Sequence, residues 1–220
     1  MNETITNRST VRRMPARGSH EEAMIHAILD AGFMAYTGFS LEGQPFVIPT
    51  LFGREDNTLY LHGSAASRMM RHLETGAPAC VNVTHVDGLV LARSAFHHSM
   101  NYRSVVAFGT AIKVETEEEK AHGLWVVSEH LIRGRWQAVR PPTPKELKGT
   151  TVLRFAIEEA SAKDRTGEPG DDEEDYALPI WAGVLPLAVT PGTPIPDGRL
   201  APGIEVPDHV SQYKPGKQRT

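Results

Sequence analysis

Between Gly88 and Gly109, two strand-like segments (residues 89–93 and 104–108) enclose Arg93, Ser94, His97, His98, Ser99, Asn101, Tyr102, Arg103 and Ser104. Guanidinium and hydroxyl groups at this density suit an anionic ligand, and His97 and His98 are the candidates for proton transfer on a substrate side. A second group, Ser64, Ser67 and Arg68, opens the helix-like stretch 64–76, where unpaired N–H groups, hydroxyls and a cation can seat a phosphate. The plain alternative there is a capped helix with an exposed arginine. The two groups together fit a phosphorylated, partly aromatic cofactor better than a bare anion.

Other chemistries lose support. No Gly-rich dinucleotide fingerprint, Walker loop, nucleophile elbow, H-E-x-x-H or paired cysteines occur. His62, His85, His97 and His98 are numerous enough for a metal. Adjacent histidines on an extended chain point opposite ways, however, and no acid sits at ligand spacing, so no metal is expected. Cys80, the one cysteine, sits in an apolar strand and reads as a small buried residue.

The elements that must position these groups read in order. Ser19 and Glu22 form a capping-box pattern before a helix stopped by Gly32, with Met24, Ala27, Ile28 and Ala31 on one face. His26 on that helix reads as a structural histidine. Strands at 33–39, 45–53 and 58–63, joined by turns at Glu42-Gly43 and 54–57, make an antiparallel meander. A strand at 79–86 reaches Asp87-Gly88, which reads as a hairpin turn into the next strand. After the polar cluster, a strand continues through Gly109, where it is expected to bend. Thr116 and Glu119 cap a helix whose face is Ala121, Leu124, Trp125, Ser128 and Leu131, closed by Gly134. Thr143-Pro144 opens a short helical turn before a last strand with Leu153, Phe155 and Ile157 on one side. Six to seven antiparallel strands with added helices make a mainly β protein, and a sheet of that number closes into a barrel to remove its edges.

At 220 residues, 40% hydrophobic and 23% charged, the chain suits one core. The apolar runs are too short for a membrane helix, and the N-terminus lacks a signal-like apolar stretch, so a cytoplasmic protein is expected. Of the formal charge of −4, residues 164–175 carry −6, leaving the rest at +2. Such a body has no basic face for nucleic acid.

The stretches LYLHGSAASRMMRHL and CVNVTHVDGLVLARSAFHHSMNYRSVVAFGTA, with LIRGRW, the SAK-R-G pattern and IWAGVLPL further on, resemble the pyridoxamine 5′-phosphate oxidase-related flavin-binding proteins. The chain is more closely similar to the subgroup near the nitroimidazole-resistance proteins, over about residues 18–187. The resemblance implies a split β-barrel, a homodimer with flavin mononucleotide (FMN) between subunits, and a small-molecule substrate; FAD is open as the longer alternative. It puts Arg68 where the family often has a phosphate-binding lysine, with His62, Gly63, Ser64 and Ser67 on the adjoining strand end and turn. Tyr102, Arg103 and Ser104 match a second phosphate-side cluster. Pro49, Thr50 and Leu51 match the strand along the flavin ring, and Trp181 would cover the ring from the tail. A flavin-dependent oxidoreductase is the leading expectation, ahead of a non-catalytic flavin-binding or sensing protein. Haem, with His97 or His98 as axial ligand, or deazaflavin on a related split barrel, is a further alternative. The basic residues that hold substrate phosphate in true pyridoxamine phosphate oxidases have no match here. Residues 1–18 are expected to form a flexible arm, 19–160 the flavin-binding barrel, and 161–220 an acidic loop and extended tail packed on the barrel or on a partner subunit.

Overall fold

A computed structural model describes residues 7–215; the first six residues of the expected N-terminal arm and the last five of the tail lie outside it. In chain order the elements are β1 (Gly18–Ser19), α1 (Glu22–Asp30), β2 (Met34–Leu41), β3 (Gln44–Glu55), β4 (Thr58–Ser64), α2 (Arg68–Leu73), β5 (Ala79–Leu91), β6 (Ser99–Lys113), α3 (Glu117–Leu131), α4 (Pro144–Gly149), β7 (Thr150–Arg165), β8 (Gly183–Pro186) and α5 (Asp208–Ser211). The described strands pair antiparallel in one sheet, in the order β7-β4-β3-β2-β5-β6 with β6 returning to β7, so six of them form a ring. β1 extends β7, and β8 adds to β5. The expected mainly β barrel is present.

Alternation decides which side chains fill the ring. Ala35, Thr37 and Phe39 of β2, Phe52 of β3, Leu59 and Leu61 of β4, Val81 and Val83 of β5, Val105 and Ala107 of β6, and Leu153, Phe155 and Ile157 of β7 are buried at every second position. α1 adds Ile25, Ile28 and Leu29 to the same cluster, and α2 adds Met69, Met70 and Leu73. α3 packs outside the ring, where Val126 and Val127 meet Tyr60, Val114 and Val152. Its approach depends on Gly53, where an added Cβ would lie 2.7 Å from the Val126 carbonyl.

Three local expectations are corrected. Asp87-Gly88 is not a hairpin turn. β5 runs straight through it with a register shift between Val86 and Gly88, because β6 on one side and β8 on the other pair with the strand beyond the irregularity. The Ser19/Glu22 capping box does not form: Ser19 is paired in β1, its hydroxyl accepts from Glu21 N–H, and α1 starts without a side-chain cap. α3 buries Gly123, Val126 and Val127, with Leu124 of the expected face packed beside them and Trp125 left exposed, since the close approach at Gly53 fixes which side of the helix meets the barrel.

Other local readings hold. Glu42 and Gly43 both adopt positive φ, 53° and 78°, in the β2–β3 turn. Thr143 and Glu146 form a reciprocal capping box with Pro144 at the helix start. The β6–β7 register shifts between Phe108 and Gly109, at the expected bend.

The acidic loop is fastened to the β5–β6 connection. Asp171 accepts from Arg93 N–H at 2.9 Å and Ser94 N–H at 3.3 Å, and its second oxygen from the Arg93 guanidinium at 3.1 Å. Arg93 also lies over the Tyr176 ring, 4.9 Å from its centre, and His97 Nε2 is 3.3 Å from Asp172. Burial alone would raise the Asp171 carboxyl, but the hydrogen bonds from Ser94 and Arg93 outweigh it and hold the group below its ordinary range. Beyond this latch the tail reaches β8.

Two outcomes test this picture. At Gly109 an added Cβ would sit 1.9 Å from the Ala156 carbonyl oxygen, whereas nothing lies within 4 Å at Gly170. Gly109→Ala therefore lowers stability by about 1–3 kcal/mol in urea unfolding, while Gly170→Ala changes it by no more than about 1 kcal/mol. A carboxyl whose folded pKa is depressed adds stability above its unfolded pKa of about 3.9 and loses it as pH falls through the folded value. Asp171→Asn is thus less stable than the parent at neutral pH, and the gap narrows as unfolding is repeated below about pH 4. A gap independent of pH would remove Asp171 as the latch.

Candidate functional site

The barrel opens where β4 changes partners. β4 bonds β3 only through the Phe52/Leu61 to Glu55/Thr58 pairs, but bonds β7 along its whole length to Ser64/Thr150. The first part of β3 pairs with β2 alone. α2 fills the resulting split: Met69 Sδ accepts from Thr50 Oγ1 at 3.8 Å, and an added Cβ at Gly63 would lie 3.0 Å from Met70.

Pro49, Thr50, Leu51, His62, Gly63, Ser64, Ser67 and Arg68 therefore lie on the diverging parts of β3 and β4 and on the start of the helix that bridges them. Thr50 and Gly63 face inward, and Pro49, Leu51, His62 and Ser64 face outward. Ser67 caps α2 by accepting from Met70 N–H, and Ser64 accepts from Ala66 N–H. The exposed Arg68 guanidinium lies 4.2 Å from the centre of the Phe46 ring, and no carboxylate pairs with it among the described residues. The aromatic face orients the cation while leaving its N–H groups available.

Next to the split the outer face of the barrel is apolar. Met34 pairs with Leu51, Tyr36 with Pro49 and Gly38 with Val47; Met34, Tyr36, Leu51 and Val47 are 44%, 41%, 40% and 64% exposed. The shelf continues through Asn82 of β5 to Val106 of β6.

Tyr102, Arg103 and Ser104 lie within β6, three strands from β3, a separation on the order of 14 Å around the sheet. Arg103 is bound to Asp87 by two hydrogen bonds of 2.9 and 2.8 Å; they hold the Asp87 carboxyl below its ordinary value and raise the guanidinium. Tyr102 and Ser104 face outward. Trp181, 68% exposed, precedes β8 and packs on Gly183. The β5–β8 register carries it toward Arg93, so it shares the connection that holds His97 and His98, away from the split. His98 Nδ1 accepts from Ala92 N–H, and His97 faces Asp172.

One cationic group has no counterpart among the candidates read from sequence. Arg165 of β7 pairs in register with Tyr102, is 9% exposed, and donates to Asn101 Oδ1 and the Glu168 carbonyl. Burial lowers its pKa, and Arg17 nearby lowers it further. The SAK-R-G pattern contains this arginine, but nothing local signals that β1 brings Arg17 beside it. Among the described residues no group of three or more histidine, cysteine or acidic side chains is placed to hold a metal ion. A cavity of about 200 Å³ between α1, β3 and α3 lies apart from the split. Its Arg54 and Asp30 are joined by hydrogen bonds of 2.7 and 2.5 Å, and its His130 is bonded to the Gly32 carbonyl.

Known proteins share this geometry. The flavocytochrome Anf3 from Azotobacter vinelandii is 41% identical, with 95% of this chain and 97% of that chain covered and a TM-score of 0.89. The FAD and heme binding protein from Mycobacterium smegmatis is 36% identical, with 89% and 96% covered and a TM-score of 0.85. A structure described as a 5-nitroimidazole antibiotic resistance protein from Bacteroides thetaiotaomicron, 23% identical over 66% of this chain and 85% of that one with a TM-score of 0.55, shares the fold. No curated protein matches. The family model for pyridoxamine 5′-phosphate oxidase matches residues 21–164. That match spans the ring and the split, and the chain belongs to the pyridoxamine 5′-phosphate oxidase family of flavin-binding split barrels.

Proposed function

We propose that the chain is a flavin-dependent oxidoreductase acting on a small organic molecule, with FMN or FAD held on the outer barrel face between two copies of the chain. The observations that carry this are the apolar shelf of Met34, Tyr36, Val47, Pro49 and Leu51 and, over Phe46 on the other side of the same strand, an exposed arginine with no carboxylate partner among the described residues. A contiguous apolar face of this kind marks a ligand or protein interface. The bound flavin supplies the redox chemistry. Arg68 holds phosphate with its bidentate fork, aided by the Ser64 and Ser67 hydroxyls, and the shelf excludes water from the flat ring.

Two phosphate-side clusters three strands apart do not reach the same phosphate within one chain, and a second copy would bring one of them to it. A two-fold dimer meets that condition, because each copy then presents both its shelf and its Tyr102–Ser104 group. In the same arrangement Trp181, His97 and His98 approach the flavin of the partner rather than their own.

A haem as second cofactor is favoured by one specific observation. The 41% and 36% identical relatives, which match almost end to end, are by name a flavocytochrome and a FAD and heme binding protein.

The absorption spectrum of the purified protein, with mass spectrometry of what it releases on denaturation, tests both cofactors. Flavin bands and a Soret band are expected; a colourless protein with no isotherm toward FMN or FAD overturns the flavin reading. Arg68→Ala weakens flavin binding by about 1.5–3 kcal/mol, as for a hydrogen bond to a charged group; unchanged affinity would place the phosphate elsewhere. Tyr36→Asp puts a charge in the middle of the shelf, so light scattering should find a monomer and flavin titration a weakened site. A dimer that persists moves the interface to another face.

A further inference from the structure

The cluster at Tyr102–Ser104 lacks the cation that its sequence promises. Tyr102 and Ser104 face outward on β6, but Arg103 between them alternates to the other side and is bound to Asp87 by two hydrogen bonds. The neighbouring strand supplies the missing charge. Arg165 of β7 lies opposite Tyr102, and Lys163 lies opposite Ser104. Residues directly opposite in a sheet share a face, so the two cations stand beside the two hydroxyls. Gly18 of β1 pairs with Lys163 in turn, and Arg17 directly precedes it.

The acids nearest this patch are occupied or turned away. Glu159, on the same row of β7, accepts from Arg8 and Ser9. Asp164 alternates to the opposite face, where its charge raises the Arg103 guanidinium. Glu168 meets Arg165 through its backbone carbonyl, and Lys163 donates to the Arg13 carbonyl. Among the described residues no carboxylate lies within ion-pair distance of Arg17, Lys163 or Arg165. Arg165 is nevertheless 9% exposed, and arginines are seldom buried so far unless paired. Asn101 Oδ1 and the Glu168 carbonyl are neutral oxygens, which satisfy N–H groups without offsetting a charge. Arg17 beside it adds repulsion, and the guanidinium stays charged all the same.

We propose that Arg17, Lys163 and Arg165, with the Tyr102 and Ser104 hydroxyls, bind a phosphate or diphosphate group, and that they rather than Arg103 supply the charge of the second phosphate-side cluster. Arg17, Lys163, Tyr102 and Ser104 are half-buried, so the patch is open to a ligand. Arg165 is the most buried of the five, and its fork is held in one orientation by Asn101 and the Glu168 carbonyl. One source of the group rests on the flavin reading: the phosphate of a flavin seated on the second copy. The other is a reduced nicotinamide nucleotide that delivers the electrons.

The test uses the full chain with Arg17→Ala, Lys163→Ala and Arg165→Lys; the last keeps a charge at the buried position and loses the fork. Lys148→Ala, exposed on α4, controls for net charge. Pyrophosphate should raise the melting temperature of the flavin-free parent and of Lys148→Ala, and should lose most of that effect in the other three. FMN and FAD should bind about tenfold more weakly to Arg17→Ala and Lys163→Ala, whose circular dichroism should match the parent. Unchanged flavin affinity with a raised KM for NADH or NADPH assigns the phosphate to the electron donor. A pyrophosphate shift, flavin affinity and donor KM that all stay parental in the three variants overturn the site. A parent that binds no flavin, yet loses its pyrophosphate shift on Arg17→Ala, overturns the flavin reading and leaves the anion site standing.

Discussion

The divided hydrogen bonding of β4 is the constraint on which the rest depends. A strand has two edges, and along residues 58–61 both are satisfied, by β3 and β7. From His62 to Ser64 only the β7 edge is used, so β3 is free to leave with β2 as its partner. A six-strand ring that closed fully would have an ordinary packed wall at this point. Here α2 supplies Met69 and Met70 to seal the interior, and its first residue, Arg68, comes out on the surface over Phe46, on the inward side of β3. The opening, its apolar margin and its cation are consequences of one change of partner.

The acidic loop shows why residue composition alone misplaces chemistry. Arg93, Ser94, His97 and Asn101 look reactive when read along the chain, yet their partners are Asp171, Asp172, Arg165 and the Gly167 carbonyl, more than 60 residues away. Asp171 takes three hydrogen bonds in a buried position, enough to offset its desolvation and to close the long connection from β7 to β8. What reads as a site is, in the single chain, largely a fastening. Sequence separation hides such a pairing, since no periodicity or turn signal spans it.

Features governed by nearest neighbours were legible. The meander, the Glu42-Gly43 turn, the Thr143 cap and the alternation of Leu153, Phe155 and Ile157 follow from backbone preference and a two-residue period. Asp87-Gly88 was misread because its local preference for a turn is real, but pairing with β6 and β8 together exceeds it and converts the dipeptide into an irregularity in a long strand. The Ser64–Arg68 group was legible for the opposite reason: it is contiguous, so its residue types and spacing already describe a strand end, a cap and a cation. Arg165 beside Arg17 was not, because only the β1–β7 pairing brings them together.

An exposed apolar shelf is costly for an isolated chain and useful for one that closes over a cofactor. In the proposed dimer the same side chains would serve as interface and as ring-binding surface, so association and cofactor binding share one pool of buried area. Binding a ligand only in the associated form stabilises that form by mass action, and association in turn raises affinity for the ligand by the same factor. The polar groups fit this economy. Among the described residues Arg68 has no carboxylate partner, and its N–H groups are free to take a ligand's phosphate. The barrel then supplies rigidity, the split supplies access, and the second copy supplies the remaining wall.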